Sequence, residues 1–297
     1  MVYNNRYAAR KVVKEWGLDM EFTKMHGLGN DFLVFYGETQ LPDNVSELAI
    51  KWCDRYFGVG GDGLVFILPS EKADFKMRII NSDGTEAEQC GNAIRCVSKY
   101  VYDHGHIGKK QITIETLGAG VQQVSLEVES GVVKTVRVDM GEPILDGLTV
   151  PTTLSGNPVL NQPIKADGRE FRFTAVSMGN PHCVIYVDDA PHFDLTTWGP
   201  KLEVHPYFPR KINVEFATIT SRDRVEMRVW ERGAGPTLAC GTGACATLVS
   251  SVLNGLTDRA AWIGLKGGDL FIEWDERDNH VYMTGPAEAV YKGSIQP

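Results

Sequence analysis

A chain of 297 residues suits one large domain or two of about 150 residues each. An apolar share of 43% with 23% charged residues excludes a disordered chain. The net charge of −8 argues against nucleic acid as a partner, since phosphate binding calls for a basic surface, and no apolar run approaches the roughly 20 residues that span a bilayer, so no membrane partner is expected.

In chain order, MVYNNRYAARKVVKEWGLDM comes first. It has no apolar core and includes Glu15 and Asp19, unlike a secretory or an acid-poor transit sequence. Residues 1–20 are therefore read as an N-terminal extension, and the chain as cytoplasmic, or stromal if it comes from a plant plastid. After the Gly29-Asn30 turn, DFLVFYG predicts a strand, and SELAIKWCDRYF an amphipathic helix with Cys53 on its buried side. GLVFIL and FKMRIIN read as strands. Cys90-Gly91 opens the helix NAIRCVSKYVYDHG, closed by glycine. QITIETL, VSLEVES and VKTVRVDM complete this half, and a boundary is expected near Met140–Pro143.

The second half repeats the first. At an offset of 150, Gly29-Asn30 falls on Gly179-Asn180, Val34 and Tyr36 on Val184 and Tyr186, and Phe66 on Phe216. Met77-Arg78 falls on Met227-Arg228, Cys90-Gly91 on Cys240-Gly241, and Gly118 on Gly268. One offset held over about ninety residues points to an internal duplication. The expected fold is α/β, of the α+β type: two pseudo-symmetric domains, each of mostly antiparallel strands wrapped around a central helix, with no βαβ alternation. The domains are placed at 21–140 and 141–284, with 285–297 free to return to the first. HCVIYVD, NVEFATI, RVEMRVWE, DLFIEW and HVYMTG are the strands of the second half, GACATLVSSVLNG is its central helix, and its outer helix is expected to be less regular.

Six cysteines lie at 53, 90, 96, 183, 240 and 245. Without a C-x-x-C pair or a familiar zinc spacing, no metal is expected. Cys53, Cys96, Cys183 and Cys245 suit a packed interior. Cys90 and Cys240 differ because each precedes a glycine at the head of a helix. That position offers unpaired amides and about half a positive charge, and is expected to lower a thiol's pKa from about 8.5. The same amides suit a carboxylate and the charge that develops when its neighbouring carbon loses a proton. Two such thiols on opposite faces of one carbon could invert it, one removing a proton and the other supplying one.

KMHGLGNDFLV, RYFGVGGDGL, NSDGTEAEQCGNAIRC, SMGNPHCV, INVEF and VWERGAGPTLACGTGACA resemble the corresponding segments of the diaminopimelate epimerases, in family order from about Glu21 onward. The resemblance implies interconversion of LL- and meso-2,6-diaminopimelate, a small-molecule substrate, in lysine and cell-wall precursor biosynthesis, with no pyridoxal phosphate or metal and with a homodimer as the possible assembly. It implies Cys90 and Cys240 as the acid–base pair, Cys90 acting as base toward the LL isomer. Gly91, Asn92, Gly241 and Thr242 would then surround the reacting carboxylate. Asn30, Asn81, Asn180, Asn213, Glu231 and Arg232 match substrate-contacting positions, Arg232 pairing with the distal carboxylate, and His182 would support the second thiol or simply be packed. His26 reads as structural, and Arg78 and Arg228 as structural ion partners. Gly63 departs from the glutamine some members carry, and Pro236 stands where a polar residue is common.

Three other readings fit parts of the sequence. A proline or hydroxyproline racemase of the same fold needs no second amino-acid head on its substrate. A thiol redox protein needs neither the asparagine set nor Glu231-Arg232. A non-catalytic binding protein needs neither thiol.

Overall fold

A computed structural model describes residues 19–38 and 40–296. Of the expected extension only Asp19 and Met20 are described, and Met20 already begins a strand. The first half runs β1 (Met20–Gly27), β2 (Asn30–Tyr36), α1 (Val45–Cys53), β3 (Gly63–Leu68), β4 (Phe75–Asn81), β5 (Glu86–Ala87), α2 (Gly91–Asp103), β6 (Gln111–Thr116), β7 (Gly120–Glu129) and β8 (Val132–Asp139). The second runs β9 (Gln162–Ala166), β10 (Arg169–Ser177), β11 (Pro181–Tyr186), α3 (Leu195–Glu203), β12 (Asn213–Ser221), β13 (Arg224–Glu231), β14 (Gly235–Pro236), α4 (Gly241–Leu253), β15 (Ala260–Leu265), β16 (Gly268–Trp274), β17 (Val281–Gly285) and β18 (Glu288–Ile295). The offset of 150 is kept by the helices, α1 to α3 and α2 to α4.

Pairing runs continuously through β18–β1–β2–β3–β4–β6–β7–β8 and then through β17–β16–β15–β13–β12–β11–β10–β9, with β8 on β17 joining the halves. β18, at the end of the chain, lies on β1 as β9 lies on β10. Most pairs are antiparallel, but β2–β3, β4–β6, β11–β12 and β13–β15 are parallel. Parallel neighbours need a crossover, and each of the four helices supplies one. The expectation of no βαβ alternation is thereby corrected: short strands on both sides of a helix hide the alternation in the sequence.

These crossovers put helices on both faces of the parallel pairs, which explains runs such as GLVFIL that are buried at every position. Leu33, Phe35, Leu64 and Phe66 face α1 with Leu48 and Trp52, while Phe32, Val34, Val65 and Ile67 face the core that holds α2 and α4. The second half repeats this, with Cys183, Ile185, Val214 and Phe216 on the α3 side and Val184 and Ala217 on the α4 side. The outer helix of this half is as long as its counterpart despite Gly199-Pro200, and the Asp194 side chain caps it by accepting the Thr197 amide. Cys53, Cys96, Cys183 and Cys245 are at most 3% exposed, and all six cysteines are free.

The Gly-Asn turn is a two-residue hairpin with Leu28 at φ 58° and Gly29 at φ 87°, the left-handed pair that matches strand twist. His26 accepts the Gly29 amide at 3.3 Å, a structural role. Arg78 pairs with Glu86 as expected. Arg228 does not pair with a carboxylate among the described residues; it donates to its neighbour's carbonyl, Met227 O, at 2.6 Å.

Phe35 is 1% exposed and stacks on Phe66 at a centroid distance of 5.0 Å, with Trp52 at 5.7 Å. Phe35→Ala is expected to cost about 3–5 kcal/mol of stability in urea unfolding; a loss under about 1 kcal/mol would contradict this packing.

Candidate active site

Each half leads its chain from a hairpin with a two-residue strand, β5 or β14, into a cysteine at the N-cap of its central helix. Cys90 has φ −151° and ψ 114°, and Cys240 has φ −120° and ψ 106°. This extended backbone turns each sulfur toward the first amides of its helix, where a serine or aspartate usually sits. The Gly243 amide donates to Cys240 Sγ at 3.4 Å, and Thr242 Oγ1 lies 3.6 Å from the same sulfur.

The two helix heads abut. A Cβ on Gly241 would lie 3.9 Å from Gly91 Cα and 2.9 Å from Met283 Sδ, and one on Gly91 would meet Met283 Cε at 2.7 Å. Glycine at both positions is what permits the approach. Asn92, 3% exposed, spans the junction by donating to Asn30 Oδ1 at 3.0 Å and to the Ala239 carbonyl at 3.2 Å. Asn30 donates in turn to Asp62 Oδ2 at 2.7 Å, and its Oδ1 is 3.6 Å from Cys90 Sγ. Arg55 bonds both Asp31 and Asp62 at 2.7 Å, fixing this wall.

Behind Cys240, His182 and Glu215 are fully buried, with Nδ1 2.6 Å from Oε1. His182 Nε2 reaches Asn180 Oδ1 at 3.0 Å. The histidine is thus the link between a carboxylate and one of the expected asparagines. Asn213 is 4% exposed and already engaged: it donates to the Pro181 carbonyl at 2.8 Å and accepts the Arg232 amide at 2.9 Å. Its side chain holds the Arg232 loop in place and keeps a second N–H and a second oxygen lone pair beyond these two bonds. That loop is also fixed by Glu203, which accepts the Trp230 indole at 2.8 Å and the Gly233 amide at 3.0 Å. The exposed Arg232 guanidinium has no carboxylate partner among the described residues and donates only to Arg210 O at 3.4 Å. Glu231 accepts from the Thr237 hydroxyl.

Asn81 stands at the end of β4 and donates to Thr85 Oγ1 at 3.1 Å; no described hydrogen bond joins it to either cysteine loop. Opposite it, a Cβ on Gly63 would meet the Ile80 carbonyl at 2.7 Å, so the departure at Gly63 has a steric cause in this chain. The sequence reading missed Glu215, Met283 and Arg95. All three lie in apolar runs or a helix interior, and only the offset comparison of Glu215 with Val65 and Arg95 with Cys245 marks two of them.

Burial works against the expected lowering of both thiol pKa values. Burial pushes the Cys90 thiol up, against the Ala93 and Asn92 amides, with the Glu231 carboxylate adding to the rise and Arg95 opposing it. Burial pushes Cys240 well above the ordinary range, and Glu231 and Glu215 add to it, against Thr242 and the Gly243 amide. Removing water from a thiolate costs more than one or two amides return at this site. Burial likewise raises the Glu231 carboxyl. Among the described residues, no cluster of side chains suited to a metal ion occurs and no helix is long and apolar enough to cross a membrane.

The sequence model of the family described as Diaminopimelate epimerase matches residues 22–145 and 174–290. A diaminopimelate epimerase of Acetivibrio thermocellus is 56% identical over 276 residues, covering 93% of this chain and 98% of its own length. One from Methanococcus maripaludis is 55% identical, covering 93% and 99%. Among solved structures, a hydroxyproline epimerase from Agrobacterium vitis superposes with a TM-score of 0.68 at 16% identity, over 94% of this chain and 92% of that one. A PhzF-family phenazine biosynthesis protein of Bacillus anthracis also gives 0.68, at 15% identity over 94% and 99%. At such identities these two show a shared fold.

Because both thiols are raised, iodoacetamide should alkylate Cys90 and Cys240 in the free protein slowly at neutral pH and faster as pH rises beyond about 8.5. Peptide mapping over a pH series reads this directly. A rate that levels off below about pH 8 at either cysteine would contradict the account.

Proposed function

This chain belongs to the diaminopimelate epimerase family, and from that membership we propose that it inverts one α-carbon of 2,6-diaminopimelate between Cys90 and Cys240. The observation that carries the reading is the abutment of two helix heads, each capped by a cysteine. An α-carboxylate held by the Gly91, Asn92, Gly241 and Thr242 amides receives both helix ends at once. Charge delocalised onto it when the α-proton leaves is stabilised by donors already in place. The Cys90 thiolate takes the proton and becomes a thiol; the Cys240 thiol gives its proton to the opposite face and becomes a thiolate. The reverse reaction exchanges the roles, and no group outside the chain is consumed.

The first ionisation has to overcome burial. A substrate ammonium entering the site brings the positive charge that the buried thiolate lacks, so binding and ionisation favour each other. Asn30 and Asn180 offer amide groups to the two ends of a zwitterion, and the exposed fork of Arg232 suits the distal carboxylate in bidentate fashion. Asn81, at the end of β4, is read as a contact for the distal head. Asn213 and His182 act by placing Arg232 and Asn180.

The chain is read as two halves, 21–140 with 285–297 and 141–284, and the pairing of β18 with β1 supports the return of the last segment. A homodimer through the open outer edge of β18 is supported by Val290 and Tyr291, 57% and 46% exposed on that strand. A cytoplasmic location and the supply of lysine and cell-wall precursors belong to the same proposal, and family membership supports the second.

The test is chromatographic separation of LL- and meso-diaminopimelate after incubation with the reduced protein and no added cofactor. Interconversion to a common ratio from either isomer is expected, with proline and hydroxyproline unchanged. Racemisation of proline with diaminopimelate untouched would overturn the reading. Cys90→Ser and Cys240→Ser should each lower kcat by about a hundredfold or more, because a hydroxyl is hardly ionised at neutral pH; wild-type turnover in either would remove the two-thiol mechanism.

A further inference from the structure

The duplicated halves match at their helix heads but not in the charge placed behind them. Arg95, the fifth residue of α2, corresponds at the offset of 150 to Cys245 of α4, and Glu215, on β12, corresponds to Val65 of β3. Both charged side chains are fully buried.

Arg95 has no carboxylate partner among the described residues. Its guanidinium donates to the Gly91 carbonyl at 3.0 Å, to Asn92 Oδ1 at 2.9 Å and to the Pro286 carbonyl at 3.0 Å, and lies 3.6 Å from Met283 Sδ. Gly27 and Gly285 make room for it: a Cβ at either would come within 2.9 Å or 3.4 Å of the guanidinium. The ionisable groups that feel this cation are the thiols Cys90, Cys96 and Cys245, and Cys96 and Cys245 are pushed up to about 12 by burial. Through Asn92 the same arginine orients the amide that bonds Asn30, the residue beside Cys90 Sγ.

Glu215 is the opposite case. Its Oε1 is held by His182, and Oε2 has no hydrogen-bond partner. A Cβ on Gly243, in the first turn of α4, would come within 2.8 Å of Glu215 Oε1 and 3.2 Å of Cys240 Sγ. The carboxylate therefore stands directly behind the second helix head. Glu231 acts on both thiols, so it does not distinguish them.

We propose that Arg95 and Glu215 are positioning residues that break the symmetry of the duplicated site, the buried cation making Cys90 and the buried carboxylate making Cys240 respectively the first and the second of the two thiols to lose its proton. This rests on the reading of both cysteines as the acid–base pair. It deepens that reading by naming what makes two equivalent helix heads start a turnover in unlike protonation states. The upward push from Glu215 on Cys240, with no counterpart at Cys90, agrees with the placement. Neither residue needs to touch substrate.

The test is iodoacetamide alkylation of the reduced full chain across a pH series, read at Cys90 and Cys240 separately by peptide mass mapping, for the wild type, Arg95→Met, Arg95→Lys and Glu215→Gln. In the wild type the Cys90 midpoint should lie below that of Cys240. Arg95→Met should raise the Cys90 midpoint by about one pH unit, a tenfold change in the ionisation equilibrium, and leave Cys240 nearly unmoved. Arg95→Lys, which keeps the charge, should restore most of the shift, an outcome that packing alone would not produce. Glu215→Gln should lower the Cys240 midpoint and serves as the independent arm if Arg95→Met does not fold. Cys240 ionising first in the wild type, or midpoints unchanged in folded Glu215→Gln, would overturn the proposal. Epimerase activity is assayed on the same wild-type sample: shifted midpoints without epimerisation would remove the functional reading and leave the pair standing, and epimerisation with unshifted midpoints would do the reverse.

Discussion

Two helix N-termini pointed at one spot repel. Each carries about half a positive charge and several unpaired amides, and the approach of Gly91 to Gly241 forces both sets together. The arrangement is favourable only when negative charge lies between the ends. On the proposed reading, thiolate, substrate carboxylate and the charge that develops at the α-carbon are the anions that offset this cost during turnover. The rest of the fold serves this contact. The four parallel crossovers bury α2 and α4 in a common core, β8 on β17 closes the halves together, and Met283 fills the seam between the helix heads.

Burial acts against the same chemistry. It raises both thiols and Glu231, and the amides alone do not reverse it. A low-dielectric site strengthens every charge that is correctly placed and penalises every one that is not. A single thiolate is therefore tolerated only with a compensating cation, whether the substrate ammonium or Arg95. Fixed side chains hold the surrounding groups: Asn213 and Glu203 hold the Arg232 loop, and His182 holds Asn180.

Much of this was legible in the sequence because the duplication preserves spacing. The offset that matched Cys90 with Cys240 also matches α1 with α3 and α2 with α4, and the glycines beside each cysteine signalled a helix head. The parallel crossovers were not legible, since an apolar run such as GLVFIL states burial and not direction. β1, β9, β10, β15 and β18 and the two-residue β5 and β14 passed unread, and α3 was underrated because Gly199-Pro200 interrupts its pattern. Periodicity also hides buried charge: Arg95 reads as an ordinary helix residue and Glu215 as one member of an alternating strand. Asn213 shows a further limit, because a motif gives no sign that its side chain also bonds the Pro181 carbonyl and the Arg232 amide.

The central claim is that two groups on opposite faces of the carbon handle two different protons. Its most direct test is the fate of deuterium at early conversion, with LL-diaminopimelate incubated with the reduced protein in deuterium oxide and both isomers recovered. The account predicts that newly formed meso isomer carries deuterium at the inverted carbon from the first turnovers while unreacted LL isomer stays protiated, since the proton removed by Cys90 and the deuteron supplied by Cys240 belong to different sulfurs. Meso isomer that retains the original proton would contradict it and place removal and return on a single group.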